Sequence, residues 1–361
     1  MNLTSNVKIS DRMIVKSKGN ILDRFLLFFL NDERDLPIAY LILKISLTML
    51  PMAAFLIIGN PYSGDINIAY AISAAYLGLM VFFFAPYVLM LHNVSHRRLF
   101  KQKFSLFNYW PTSVLGLFFG QTPFSYYAHH VGMHHSENNL YTDLSSTIKY
   151  QRDSAFHFLR YFTRFFLLIP IDLSIYLVRT KKYTLLIKYW IGESIFIALA
   201  VSLCMYNLPV GLTILVIPLV IARFGMMAGN WGQHAFVDTT DPNNCYRNSL
   251  TCINSKYNDR CFNDGYHISH HLKAGRHWSD HPQELITDRK RYIKEEAIIF
   301  EKIDFFMVWL LLMTKRYNTL IKYYVNLDDK KVKTPEQVRE LFDIRLKKDP
   351  TNRITMDTII N

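Results

Sequence analysis

Twenty-four consecutive residues, Ile68 to Leu91, carry no charge. Coiled as a helix at ~1.5 Å per residue, such a run matches the ~30 Å hydrocarbon core of a bilayer and satisfies its own backbone polar groups there. A second run, Ile38 to Ile58, precedes it behind Pro37 and is interrupted only by Lys44, whose long stem lets the charge reach the interface. The turn-forming Gly59-Asn60-Pro61-Tyr62-Ser63-Gly64 joins the two into a hairpin. Tyr189 to Tyr206 and Leu208 to Ala228 repeat the pattern, hinged at Asn207 so tightly that the two helices must be antiparallel neighbours.

Two shorter runs, Trp110 to Gly120 and Phe165 to Val178, are broken by proline, and the second contains Asp172. Their length suits the membrane interface or a re-entrant segment rather than a crossing. The expected fold class is therefore all-α: an integral membrane protein with four transmembrane helices in two hairpins and a cytosolic helical domain. Its expected organisation is a cytosolic segment 1–37, a hairpin 38–91, a cytosolic or interfacial region 92–188, a second hairpin 189–228 and a cytosolic region 229–361.

Charge placement orients this arrangement. The net charge is +12, yet the predicted outer turns, 59–67 and 206–207, contain no lysine or arginine. That is the positive-inside pattern, and it accounts for the basic excess without a nucleic-acid partner. Both termini are then expected in the cytosol, of either a bacterial inner membrane or the endoplasmic reticulum. The first 24 residues are polar and basic, so no cleavable signal peptide is expected. Four cysteines without a CxxC pair read as reduced thiols. Glu193 and Arg223 reach similar depths in the second hairpin and either pair or snorkel separately. Beyond it, a helical stretch is expected near 290–324, in which Phe305 to Met313 is too short to span, and Thr334-Pro335-Glu336-Gln337 announces a capped helix.

Nine of the thirteen histidines fall into four tightly spaced groups. The first, His92-Asn-Val-Ser-His96, begins where the second span ends, and residues four apart on a helix share a face. His130-Val-Gly-Met-His134-His135 and His267-Ile-Ser-His270-His271 each add an adjacent pair, which directs one imidazole toward a neighbouring position. His234 follows the fourth span in Asn230-Trp-Gly-Gln-His234. All four groups return to one predicted face of the membrane. Nine imidazoles exceed what one tetrahedral zinc needs, and no HExxH protease motif is present; two ions can share them. Imidazole alone does not select the metal.

These boxes, HxxxH, HxxxHH, NxxxH and HxxHH, in this order between two membrane hairpins, resemble those of the membrane fatty-acid desaturases and alkane hydroxylases. The likeness runs from about His92 to Pro282 and includes Asn263-Asp264-Gly265-Tyr266 before the last box and His277-Trp278 and His281-Pro282 after it. The resemblance implies a di-iron centre held by His92, His96, His130, His134, His135, His234, His267, His270 and His271, with dioxygen as co-substrate. It leaves Asn230 between two readings, a water-mediated ligand or a cap on the fourth span. Glu137, Asp143 and Asp264 are candidates to orient the ligand rings. His129 is expected beside the site or at the surface, His277 and His281 beside the site or in structural roles, and His157 as an ordinary interfacial residue.

The three residues between His130 and His134 are the spacing of alkane hydroxylases, whereas Asp143 to Asp153 and the lead-in to the last box are not; a fatty-acyl or lipid substrate and desaturation are favoured over hydroxylation. No HPGG haem motif and no GxGxxG site are present, so electrons are expected from an external b-type cytochrome, or a ferredoxin-like donor with its reductase. The rival reading is a non-redox metal transporter or sensor; transport sites lie near the midplane, and none of the nine histidines falls within a predicted span.

Overall fold

The apolar runs become helices in the computed structural model, which describes residues 7–351. The first six residues of the segment 1–37 and the last ten of the region 229–361 lie outside the described residues. In chain order the main elements are helices α1 (Ile21–Phe29), α2 (Leu36–Ile58), α3 (Ile66–His96), α4 (Ser125–His129), α5 (Ala155–Arg179), α6 (Tyr183–Tyr206) and α7 (Leu208–Gln233). They are followed by strand β1 (Leu250–Ile253), α8 (His267–Leu272), α9 (His281–Thr287), strand β2 (Ile298–Glu301), α10 (Phe305–Met313), α11 (Tyr317–Tyr323) and α12 (Pro335–Arg345). The chain forms two compact units. One comprises 14–131 and 177–224, the other 7–13, 132–176 and 225–351.

The first unit is the membrane hairpin unit. Along α2, Ile38, Ile42, Ile45, Met49, Ala53 and Leu56 are buried, and along α3 Ala69, Ser73, Tyr76, Met80, Phe83 and Tyr87. Both series step by three and four residues, so each helix buries one stripe, and the two pack together. Leu47, Phe55, Val81 and Phe82 are exposed on the remaining faces. Such faces are tenable in lipid. At the far ends, Asn207 Nδ2 donates to Asn60 Oδ1 at 2.8 Å and Tyr206 Oη to the Ile57 carbonyl at 3.3 Å, tying the two hairpin turns together. Of the two readings of Glu193 and Arg223, the structure has the pair, at 3.7 Å, and Glu193 also accepts from Thr122 Oγ1 at 2.5 Å.

The second unit carries most of the polar structure. Its core surrounds a two-stranded parallel sheet in which Leu250 to Ile253 pair in register with Ile298 to Glu301. These two short strands are the departure from an otherwise helical chain. β2 also interrupts the helical stretch expected near 290–324, after Glu296 takes a left-handed φ of 50°. α12 begins with the expected reciprocal capping box between Thr334 and Gln337.

Among the described residues five helices are long and apolar enough to cross a membrane: α2, α3, α5, α6 and α7. The additional one is α5, which contains the run Phe165 to Val178 but starts ten residues earlier. Arg160 and Arg164 interrupt its hydropathy without weakening its helicity, since arginine is a good helix former. The other short run folds as a π-helical turn, Trp110–Val114, followed by Leu115–Phe118.

Candidate metal centre

Four of the expected ligands, His134, His234, His267 and His271, offer ring nitrogens that all lie within 4.8 Å of one another in the second unit. His267 Nε2 is 3.1 Å from His234 Nε2 and 3.0 Å from His271 Nε2. A first-row divalent ion bound to imidazole at ~2.1 Å would separate adjacent nitrogens by about 3 Å, so the donor set fits such an ion. In the same unit His135 Nε2 and His270 Nε2 approach to 2.9 Å as a separate pair. The adjacent pairs His134-His135 and His270-His271 thus diverge as expected.

The four tetrad imidazoles come from three local devices. His234 follows the last residue of α7, where Gly232 is needed because a Cβ there would meet the Phe305 carbonyl oxygen at 2.2 Å. His267 and His271 lie one turn apart on α8. Gly265 brings that helix against β1: a Cβ at 265 would fall 2.2 Å from the Cys252 carbonyl oxygen, and the Gly265 carbonyl accepts from Cys252 N at 2.7 Å. His134 ends a π-helical turn, His130–His134, whose wider pitch changes the face that an HxxxH spacing would share.

Ring orientation is fixed from behind. His134 Nδ1 bonds Asp143 Oδ2 at 2.6 Å, and Asp143 in turn accepts from the backbone N–H groups of Asn139 and Ser145 and the Ser145 hydroxyl, at 2.7–2.9 Å. His234 Nδ1 donates to the Asn248 carbonyl at 2.8 Å. In both rings this turns Nε2 toward the tetrad. Burial lowers the His234 pKa to about 3, helped by neighbouring His134, and pushes that of His271 well below the usual value. Both rings are therefore neutral at pH 7, the form that ligates metal. Burial also raises the Cys252 and Cys261 thiols, keeping them protonated, and all four cysteines are free.

The hairpin unit supplies the remaining three expected ligands. His92 and His96 lie on the last turns of α3, and His130 follows α4; their ring nitrogens lie within 4.8 Å of one another, with His130 Nε2 3.1 Å from His96 Nε2.

Other expected residues fall around this framework. Asn230 lies inside the last turn of α7, donating from Nδ2 to the Ser145 carbonyl at 2.9 Å and to Tyr161 Oη at 2.7 Å. Glu137 accepts from Tyr176 Oη at 2.6 Å, and Asp264 from Tyr257 Oη at 3.1 Å and Gln233 Nε2 at 3.3 Å. His281 Nδ1 meets Ser269 Oγ of α8 at 2.8 Å, His277 caps the turn Trp278–Asp280, and His157 Nδ1 accepts from Gln151 N at 2.8 Å. His129 is the last residue of α4.

Sequence reasoning did not identify the frame that holds the tetrad. Arg152 is wholly buried and donates to the carbonyls of Ala235, Tyr150 and Arg345 at 2.9–3.1 Å, joining the loop after His135, the end of α7 and the end of α12. Burial lowers its pKa to about 9. Asn139 Nδ2 donates to Asn248 Oδ1 at 2.8 Å, and Thr147 Oγ1 to the His234 carbonyl at 2.6 Å. The left-handed Asn138 and Asn139 could have flagged a specialised turn, since asparagine is enriched in that conformation.

A helical chain with several membrane-length apolar helices and an imidazole-only donor set, three of whose four rings are buried, defines a membrane metalloprotein of the histidine-box class. The family model described as fatty acid desaturase matches residues 67–291, and the chain belongs to this family, within the membrane fatty-acid desaturase and hydroxylase superfamily. All nine histidines lie inside the matched region. No curated protein and no solved structure matches the chain. Membership makes it an oxidoreductase of a superfamily known for di-iron centres, acting on a lipid or acyl substrate in a membrane.

Proposed function

We propose that this chain is a fatty-acyl desaturase whose nine histidines hold two iron ions. The observation that carries this reading is the tetrad: four imidazoles with convergent nitrogens, three of them buried and two oriented from behind by Asp143 and the Asn248 carbonyl. His134, His234, His267 and His271 would hold one ion, with Asn230 as a water-mediated neighbour, and the other five box histidines are proposed as ligands on the resemblance of their boxes to those of the family. When bound, two irons supply dioxygen chemistry able to remove hydrogen from unactivated methylenes, using two electrons from an external b-type cytochrome or ferredoxin-like donor. The chain's own groups keep His234 and His271 neutral by burial and fix the orientation of His134 and His234.

We further propose that α2, α3, α6 and α7 cross the bilayer while α5 lies at its cytosolic surface. Three membrane-length helices separate His134 from His234, yet both belong to one tetrad, so an even number of them crosses. α6 and α7 form a hairpin and pair their buried charges, Glu193 and Arg223, whereas α5 carries Arg160, Arg164 and Asp172. The metal centre and both termini are then cytosolic.

Desaturation is favoured over hydroxylation by the segment Asp143 to Asp153 and the lead-in to the last box, which differ from alkane hydroxylases. Expression in a host lacking desaturases, followed by mass spectrometry of total lipids with double-bond localisation, tests this. A new alkene that disappears with His270→Ala is expected; a new alcohol without alkene overturns the desaturase assignment.

A further inference from the structure

The hairpin unit contains a cavity of about 600 Å³ with His96 in its wall. This is within the ~300–1,000 Å³ range of small-ligand sites and suits one chain with a compact head. Its deepest lining residues are Leu91, Thr122 and Ala128, each no more than 2% exposed, and Val94, Phe124 and Leu185 extend the apolar wall.

Arg98 and Lys188 also line it and are exposed, so they mark its open side. None of the lining residues is a carboxylate. The neighbouring Arg97 has its charge answered by Asp32 at 3.2 Å and Asp35 at 3.5 Å. Arg98 instead donates to the neutral Gln102 side chain, and neither Arg98 nor Lys188 has a carboxylate partner among the described residues. Two cations on the rim of an apolar cavity attract an anionic oxygen group attached to a hydrocarbon chain.

We propose that this cavity is the substrate site and that Arg98 and Lys188 select a single-chain amphiphile with an anionic carboxylate or phosphate head, its chain lying beside His96. The inference rests on the oxidoreductase reading for what happens to the chain. Recognition of the head does not depend on iron or turnover.

The test uses the full chain in nanodiscs of neutral phosphatidylcholine, metal-loaded and metal-free, with photoreactive hexadecanoic acid, hexadecyl phosphate and hexadecanol as probes. Cross-links should map to residues 91–128 and 185–188. At least one anionic probe should bind about tenfold or more tightly than the alcohol, a preference of ~1.4 kcal/mol. Arg98→Gln with Lys188→Gln should abolish that preference, and Val94→Trp should reduce labelling by all three probes. Tighter binding of the acid identifies a carboxylate head, and tighter binding of the phosphate a phosphate ester. Equal binding of acid, phosphate and alcohol by the unaltered protein, cross-links outside the cavity, or an unchanged preference in the double variant overturns the proposal. The same preference without metal supports it even if the oxidation assigned to the centre fails.

Discussion

The histidines of the two units are held in different ways. In the hairpin unit, His92 and His96 are neighbours because α3 carries them one turn apart, and α3 is stabilised by its buried stripe from Ala69 to Tyr87. In the other unit, His134, His234, His267 and His271 arrive from three separated segments and meet through a hydrogen-bonded frame of Asp143, Asn139, Asn248, Thr147 and Arg152. A helix positions ligands by repeat geometry; loops do so only when each polar group behind them is satisfied. The tetrad should therefore be the more easily broken of the two.

Acid gives the largest expected effect. The folded-state pKa of His234 is depressed to about 3 and that of His271 is also far below its ordinary value near 6.5, so below pH 6.5 the unfolded chain binds protons that the folded chain refuses. This contribution is fully present above pH 6.5 and is lost as pH falls toward 3. Chemical denaturation of the metal-free protein across that range should show falling stability in the second unit; a stability independent of pH there would contradict the neutral state of His234 and His271.

Arg152→Met comes next. It leaves several buried carbonyls without a donor, for an expected cost on the order of 3–5 kcal/mol. Thermal unfolding should show it, with hydrogen exchange rising around residues 143–153 and 345–347 before the hairpins are affected. Asp143→Asn is smaller: it keeps the shape but removes the charge behind His134, and should weaken one metal ion about 10–100-fold while leaving the other. Metal titration against a chelator would resolve one weakened site, and equal weakening of both would erase the proposed contrast between the units.

That contrast also marks how far the sequence could be read. The hairpins were legible because burial follows composition: the runs 38–58 and 68–91 correspond to α2 and α3 with small shifts at the ends. The histidines were legible because ligand type and spacing are local. α5 was read too short, since arginines that face outward lower hydropathy while favouring helix. β1 and β2 were missed because four-residue strands whose partners lie 48 positions away, as Leu250 and Ile298 do, leave no periodic signal. Arg152 was missed for the same reason, its carbonyl acceptors at Ala235 and Arg345 lying 83 and 193 positions away. Asp143 was foreseen only as one of three carboxylates near the boxes, and the hydrogen bond to His134 singles it out.

The most direct test is the metal content of anaerobically purified protein. Two irons per chain are expected, falling to one in His234→Ala, which removes a tetrad ligand and leaves the five other proposed ligands intact. One zinc per chain without iron, or two irons retained in His234→Ala, would contradict the assignment of the tetrad as half of a di-iron centre.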